Sequence, residues 1–112
     1  MRLVSVVFHD DYSEKLQKLA FRTPVWIVDT TENRAAAEGA WHEATEWPHI
    51  SVTLFRFDDW PSLIRQIAFQ VRGVDAIDAI GTTLTLPARA ALGEAGFERI
   101  DENANGFRAR KT

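Results

Sequence analysis

Residues 49–71 combine two hydrophobic periodicities in one uninterrupted run, and this run constrains the fold more than any other part of the sequence. In its first half, apolar residues alternate as in a strand that turns one face to a core, with Ile50, Val52 and Leu54 on that face. In its second half the apolar residues recur at helical spacing, at Trp60, Leu63, Ile64, Ile67, Ala68 and Val71. Asp59 and Pro61 between the halves are typical of a helix start. The run therefore predicts a strand followed by an amphipathic helix.

The rest of the chain repeats this strand–helix order. Short runs of apolar and β-branched residues, typical of buried strands, precede segments that have helical spacing or helix-capping residues. We predict strands at residues 3–8, 24–29, 50–57 and 76–80, with a helix after each. This alternation favours a parallel sheet, because each helix returns the chain to the edge where the next strand begins.

The last segment, residues 97–110, predicts a β-hairpin. Asn105-Gly106 is a strong signal for a two-residue turn between antiparallel strands. With that turn, Asp101 lies opposite Arg110, and the neighbouring pair joins Asn103 to Arg108.

These segments together predict one α/β domain over residues 1–112. It has three layers, with helices on both faces of a mainly parallel sheet that the C-terminal β-hairpin makes mixed. An α+β two-layer sandwich stays open as the alternative, because Ser51, Thr53 and Arg56 are unusual in a strand buried on both faces. A length of 112 residues fits one hydrophobic core and is short for two.

The net charge and the absence of cysteine exclude several classes of partner and of functional site. The formal net charge is −3 and the pI about 5.5, which does not attract a polyanion. The absence of cysteine excludes a disulfide scaffold, a thiolate zinc site and a cysteine nucleophile. No apolar run has the length of a membrane span. We expect a cytoplasmic protein that binds neither nucleic acid nor membrane.

Polar residues follow each predicted strand, where open parallel sheets bind ligands. The candidate crevice consists of His9, Asp10, Asp11, Asp29, Thr30, Asp58 and Thr82. Carboxylates gathered there would hold Mg²⁺ through oxygen ligands. The competing interpretation is that these side chains only cap the following helices, which Asp, Ser and Thr commonly do.

The same positions loosely resemble the response-regulator receiver domain. That family has an acidic pair after the first strand, a phosphoacceptor aspartate after the third and a threonine after the fourth. Asp10 and Asp11, Asp58, and Thr82 or Thr83 stand in those places. The sequence departs from the family in having no lysine after the fifth strand and a hairpin in place of the final helix, so the resemblance ends near Thr83.

Three of the four tryptophans define a second candidate site. Trp26 is expected in the core, whereas Trp41, Trp47 and Trp60 lie near helix ends or turns, where a large ring is often only half covered. Aromatic side chains are common anchors of protein interfaces, although a small domain also uses them to fill its core. We treat these three residues as a candidate interface.

Two hypotheses follow from the sequence. The first is a non-catalytic cytoplasmic α/β domain that acts by associating with a protein partner or with itself, without a cofactor. The alternative is a Mg²⁺-dependent phosphoacceptor or hydrolase-like site built from the strand-end aspartates. No catalytic residue is assigned, and His42, Glu46 and His49 are better explained as exposed side chains than as metal ligands.

Overall fold

The structure is a computed structural model that describes residues 2–8, 14–47 and 51–112. Strands and helices alternate through this part of the chain. Their order is β1 (Leu3–Val7), α1 (Glu14–Ala20), β2 (Val25–Asp29), α2 (Arg34–Ala44), β3 (Val52–Arg56), α3 (Trp60–Gln70), β4 (Ala76–Ile80), α4 (Leu86–Glu94), β5 (Arg99–Asn103) and β6 (Gly106–Arg110). The predicted α/β fold is confirmed. The predicted first four strands agree with β1 to β4 within two residues at each end, and residue 50 at the start of the predicted third strand lies outside the described residues.

The six strands form one mixed sheet in the order β3-β2-β1-β4-β6-β5. β1 pairs in parallel with both β2 and β4, and β2 pairs in parallel with β3. β6 runs antiparallel to its neighbours β4 and β5. The chain therefore builds outward from β1 in one direction through β2 and β3, and then crosses to the other side of β1 to add β4.

Residues of β1, β2 and β4 alternate between two hydrophobic clusters. The first cluster joins Val4, Trp26 and Ile77 to apolar residues of α3 and α4. The second joins Val7 and Ile27 to apolar residues of α1 and α2. Among the described residues, β5 and β6 contribute side chains to the first cluster alone.

β4 is a strand in spite of its one aspartate, Asp78, because a partner strand neutralises the charge. Asp78 lies directly opposite Arg108 of β6. The guanidinium donates two hydrogen bonds to this carboxylate, at 2.6 and 2.8 Å. These bonds hold the pKa of Arg108 above its ordinary value. The segment thus presents Ile77 and Ala79 to the core and a satisfied charge on its other face.

The predicted register of the last two strands is wrong by two residues. Asn103 pairs with Gly106 and Asp101 with Arg108, so Ala104 and Asn105 connect the strands. Gly106 belongs to β6, where its backbone lies against β4. A Cβ atom at this position would stand 1.9 Å from the carbonyl oxygen of Ala79. The glycine is needed for this close approach and not for a turn.

No helix within residues 2–8, 14–47 and 51–112 has the length and apolar character needed to cross a membrane.

Candidate functional site

The carboxyl ends of β1 to β4 lie along one edge of the sheet, where the sequence predicted a crevice. Along this edge stand Asp58 after β3, Asp29 at the end of β2 and Thr82 after β4. His9, Asp10 and Asp11 fall outside the described residues. Because strands in a sheet are about 4.8 Å apart, Asp58 and Thr82 are separated along the edge by three spacings, or roughly 14 Å.

Asp29 is buried and paired with arginines. Its side chain is 1% exposed and lies 3.5 Å from Nε of Arg34 and 3.7 Å from Nε of Arg56. A second atom of the Arg56 guanidinium lies 3.6 Å from Glu38. Asp29 is thus paired within the chain with an arginine of α2 and an arginine of β3.

Thr30 is held by Asn33, a residue that the sequence analysis did not single out. The N–H and hydroxyl of Thr30 both donate to the amide oxygen of Asn33, at 2.6 and 3.0 Å. The amide nitrogen of Asn33 donates in turn to the carbonyl oxygens of Phe8 and Val28. Asn33 therefore ties together the ends of β1 and β2. Its place just before α2 is a signal for a cap, yet its side chain makes no capping hydrogen bond.

The two aspartates after β3 differ in their surroundings. Asp59 accepts a hydrogen bond of 2.8 Å from the N–H of Ser62 and caps α3, as the sequence predicted. Hydrogen bonds from the backbone and side chain of Ser62, with a smaller effect of Arg65, lower the pKa of Asp59. Asp58 is exposed beside it.

Thr82 lines a groove beside the half of the sheet that consists of β4, β6 and β5. The groove has a volume of about 1160 Å³ and lies between α1, the loop after β4 and the strands β4 to β6. Its apolar lining includes Leu16 and Ile80, and its polar lining includes Asn103 and Arg108. In the described residues, Thr82 shares this groove with none of the other candidate crevice residues.

The strand order argues against a receiver-type site. Receiver domains have the order 2-1-3-4-5, which places the aspartate after the third strand next to the end of the first. Here β2 lies between β1 and β3, so Asp58 follows an edge strand. The part of the chain that the structure describes also contains no group of three or more His, Asp or Glu side chains positioned to hold a metal ion.

Trp60 does not lie on a surface, contrary to the expectation that its ring is half covered. It is 7% exposed, and its ring packs 5.3 Å from that of Phe8 and 5.7 Å from that of Phe107. Its position at the first turn of α3 directs it into the core. Trp41 and Trp47 remain partly exposed and pack against the second cluster, which Val52 and Leu54 also contact.

The two edge strands of the sheet differ in character, which the sequence analysis did not anticipate. β5 is charged and almost wholly exposed along its sequence RIDEN. β3 has the sequence VTLFR, and its first four residues are half-buried. Among the described residues, β3 pairs with β2 alone. Charge protects one edge of the sheet from further pairing, whereas the other presents an apolar strand.

The backbone of β3 has a defined outward set of hydrogen-bonding groups. The carbonyl oxygen of Ser51 accepts from Val25 of β2 at 3.0 Å, and the N–H of Phe57 donates to Asp29 of β2 at 2.8 Å. Groups facing a neighbouring strand alternate along the chain, so the odd-numbered residues between these two also face β2. The N–H and C=O groups of Val52, Leu54 and Arg56 therefore point away from the sheet.

Comparison with protein-family models, with curated proteins and with solved structures finds no match to this chain.

Proposed function

We propose that this chain is a non-catalytic α/β domain that associates with a protein partner, and that the partner adds a strand to the outer edge of β3. The observation that carries the proposal is the contrast between the two edges of the sheet. A strand that leaves three residues with outward N–H and C=O groups and half-buried apolar side chains is a template for pairing. An added strand would satisfy those groups and cover those side chains.

The one charge on β3 is balanced within the chain, so it does not oppose the addition of a strand. Arg56 is the strand's one charged residue and is 61% exposed, and a lone edge charge commonly opposes strand addition. Its guanidinium is drawn toward Asp29 and Glu38, which balance its charge within the chain. Strand addition at β3 therefore does not bring an unbalanced cation into an interface.

Trp41 and Trp47 extend the proposed surface. Both rings are partly exposed and pack on the same cluster as Val52 and Leu54. α2, which carries Trp41, contacts both β2 and β3. An incoming strand that passes along β3 would meet this side of the molecule, where aromatic rings supply contact area.

The proposal treats residues 1–112 as one cytoplasmic domain with three layers. The alternation of inner-strand residues between two clusters, one with α3 and α4 and one with α1 and α2, supports helices on both faces of the β1 to β3 half. The antiparallel pairing of β5 with β6, with Ala104 and Asn105 between them, supports a hairpin in this arrangement. The cysteine-free sequence fits a reducing compartment.

A peptide-binding measurement tests the proposal. A fluorescent peptide with residues 51–57 and added terminal lysines is titrated with the protein, and its anisotropy is followed. We expect saturable binding that is lost when the amide nitrogens on one edge of the peptide are methylated. A Leu54→Pro variant removes an outward N–H without touching the ladder to β2, so it should bind the peptide more weakly while circular dichroism shows a folded protein. Equal binding of the methylated peptide, or no binding of either, would refute the proposal.

A further inference from the structure

We infer that the partner of β3 is the β3 strand of a second copy of this chain, paired antiparallel about a two-fold axis at Leu54. This inference rests on the proposed function and adds the partner and the register. It yields a continuous sheet across two protomers in which each copy uses the same surface.

The backbone of β3 is self-complementary about Leu54. In an antiparallel ladder, two residues whose N–H and C=O groups point toward each other exchange two hydrogen bonds. An axis at Leu54 places Leu54 of one protomer opposite Leu54 of the other. It also places Val52 of each protomer opposite Arg56 of the other. This register engages every outward residue of both strands. An axis at Thr53 or at Phe55 engages only two of the three within the bounds of β3.

The side chains favour the same register. On one face the two Leu54 side chains meet, flanked on each side by Val52 of one copy and Arg56 of the other. On the opposite face Thr53 meets Phe55, whose ring is already held 5.8 Å from that of Trp26. No like charges face each other. An axis at Arg56 would instead oppose two arginines, which destabilises a strand pair.

The other edge of the sheet does not offer this match. β5 has the sequence RIDEN and is exposed along most of its length, so pairing it would cover charges and little apolar surface. The asymmetry between the edges therefore predicts a dimer and not an open chain of sheets, because only one edge of each protomer accepts a strand.

Single cysteines test both the association and the register. The chain contains no cysteine, so one introduced residue can form a disulfide only with another copy. Directly opposite residues of a hydrogen-bonded antiparallel pair have Cα atoms about 5.5 Å apart, within the range of a disulfide. In the inferred dimer, Leu54→Cys meets this condition. Val52→Cys is the matched control, because its two copies lie four residues apart along the strands, or roughly 14 Å.

We expect Leu54→Cys to form a disulfide-linked dimer under mild oxidation and Val52→Cys to stay uncrosslinked. Sedimentation of the unmodified chain, which needs no variant, should show a monomer–dimer equilibrium. Two further variants, Leu54→Lys and Leu54→Glu, should each dimerise about fivefold more weakly, and their mixture should recover dimers because opposite charges then face each other at the axis.

Three outcomes overturn the inference. They are a monomer at every concentration, equal crosslinking at Val52 and Leu54, and failure of the mixed charge variants to associate. Binding of the residue 51–57 peptide to a chain that stays monomeric would retain strand addition as the function and reject the second copy as the partner. Failure of the peptide as well would reject both.

Discussion

Replacement of Gly106 by alanine tests the close approach of β6 to β4. This approach joins β6 and β5 to the rest of the sheet. The new Cβ atom would lie 1.9 Å from the carbonyl oxygen and 2.9 Å from the carbonyl carbon of Ala79, and 3.4 Å from Cα of Ile80. These are backbone atoms inside a ladder, so they cannot rotate away as the end of a flexible side chain would. The strands must move apart by about 1 Å or more, which strains the pairs on either side.

We expect Gly106→Ala to lower the free energy of unfolding by about 3 kcal/mol, the upper part of the usual range for overpacking. Gly39→Ala is the matched control: it lies within α2 and its Cβ meets nothing within 4 Å. This change should raise stability by about 0.5–1 kcal/mol, the difference in helix propensity. Urea denaturation of the three proteins measures both values. A Gly106→Ala variant within about 0.5 kcal/mol of the unmodified chain would refute the packing of β6 on β4 described above.

Three further changes probe the core, a cap and the charged face. Trp60→Ala should cost about 3–5 kcal/mol in urea denaturation, because it removes a buried ring; a loss below about 1 kcal/mol would place that ring at the surface. Asp59→Asn should lose stability relative to the unmodified chain at neutral pH. Since the folded state lowers the pKa of Asp59 below its ordinary 3.8, this difference is present above that value and should vanish as the pH falls through the folded-state pKa; a difference independent of pH would exclude the charge as its cause. Asp78→Ala should cost less than about 1 kcal/mol, and less in high salt, because its partner Arg108 is 45% exposed; a loss insensitive to salt would contradict an ion-pair origin.

Local patterns predicted the elements of this fold well, because periodicity and capping act over a few residues. The cap at Asp59 and the strand at residues 76–80 are examples. Strand order depends on contacts between distant segments and has no local signal. The position of β3 at an edge, with β2 between it and β1, therefore could not be predicted, and with it the separation of Asp58 from the end of β1.

Some residue types have more than one structural use, and this limits what the sequence alone can show. Gly106 follows an asparagine, which indicates a turn, but its small size serves the contact with β4. Asp29 ends a strand before a helix, which indicates a cap, but its carboxylate lies between two arginines that come from α2 and β3. In both cases the deciding partner lies on another element. The sequence shows which groups are available, and the tertiary contacts decide which use prevails.

The position of β3 also explains why its composition left the fold class open. Ser51, Thr53 and Arg56 are unusual in a strand that has two covered faces and two paired edges, and they argued for a two-layer sandwich. An edge strand needs only partial cover, and all of β3 except Arg56 is half-buried. Val52, Leu54 and Phe55 are only half-buried in a single copy of the chain, so part of their apolar surface stays in contact with water. The proposed pairing with a second strand would cover these apolar residues, and it would place no charged residue opposite Thr53 or Arg56.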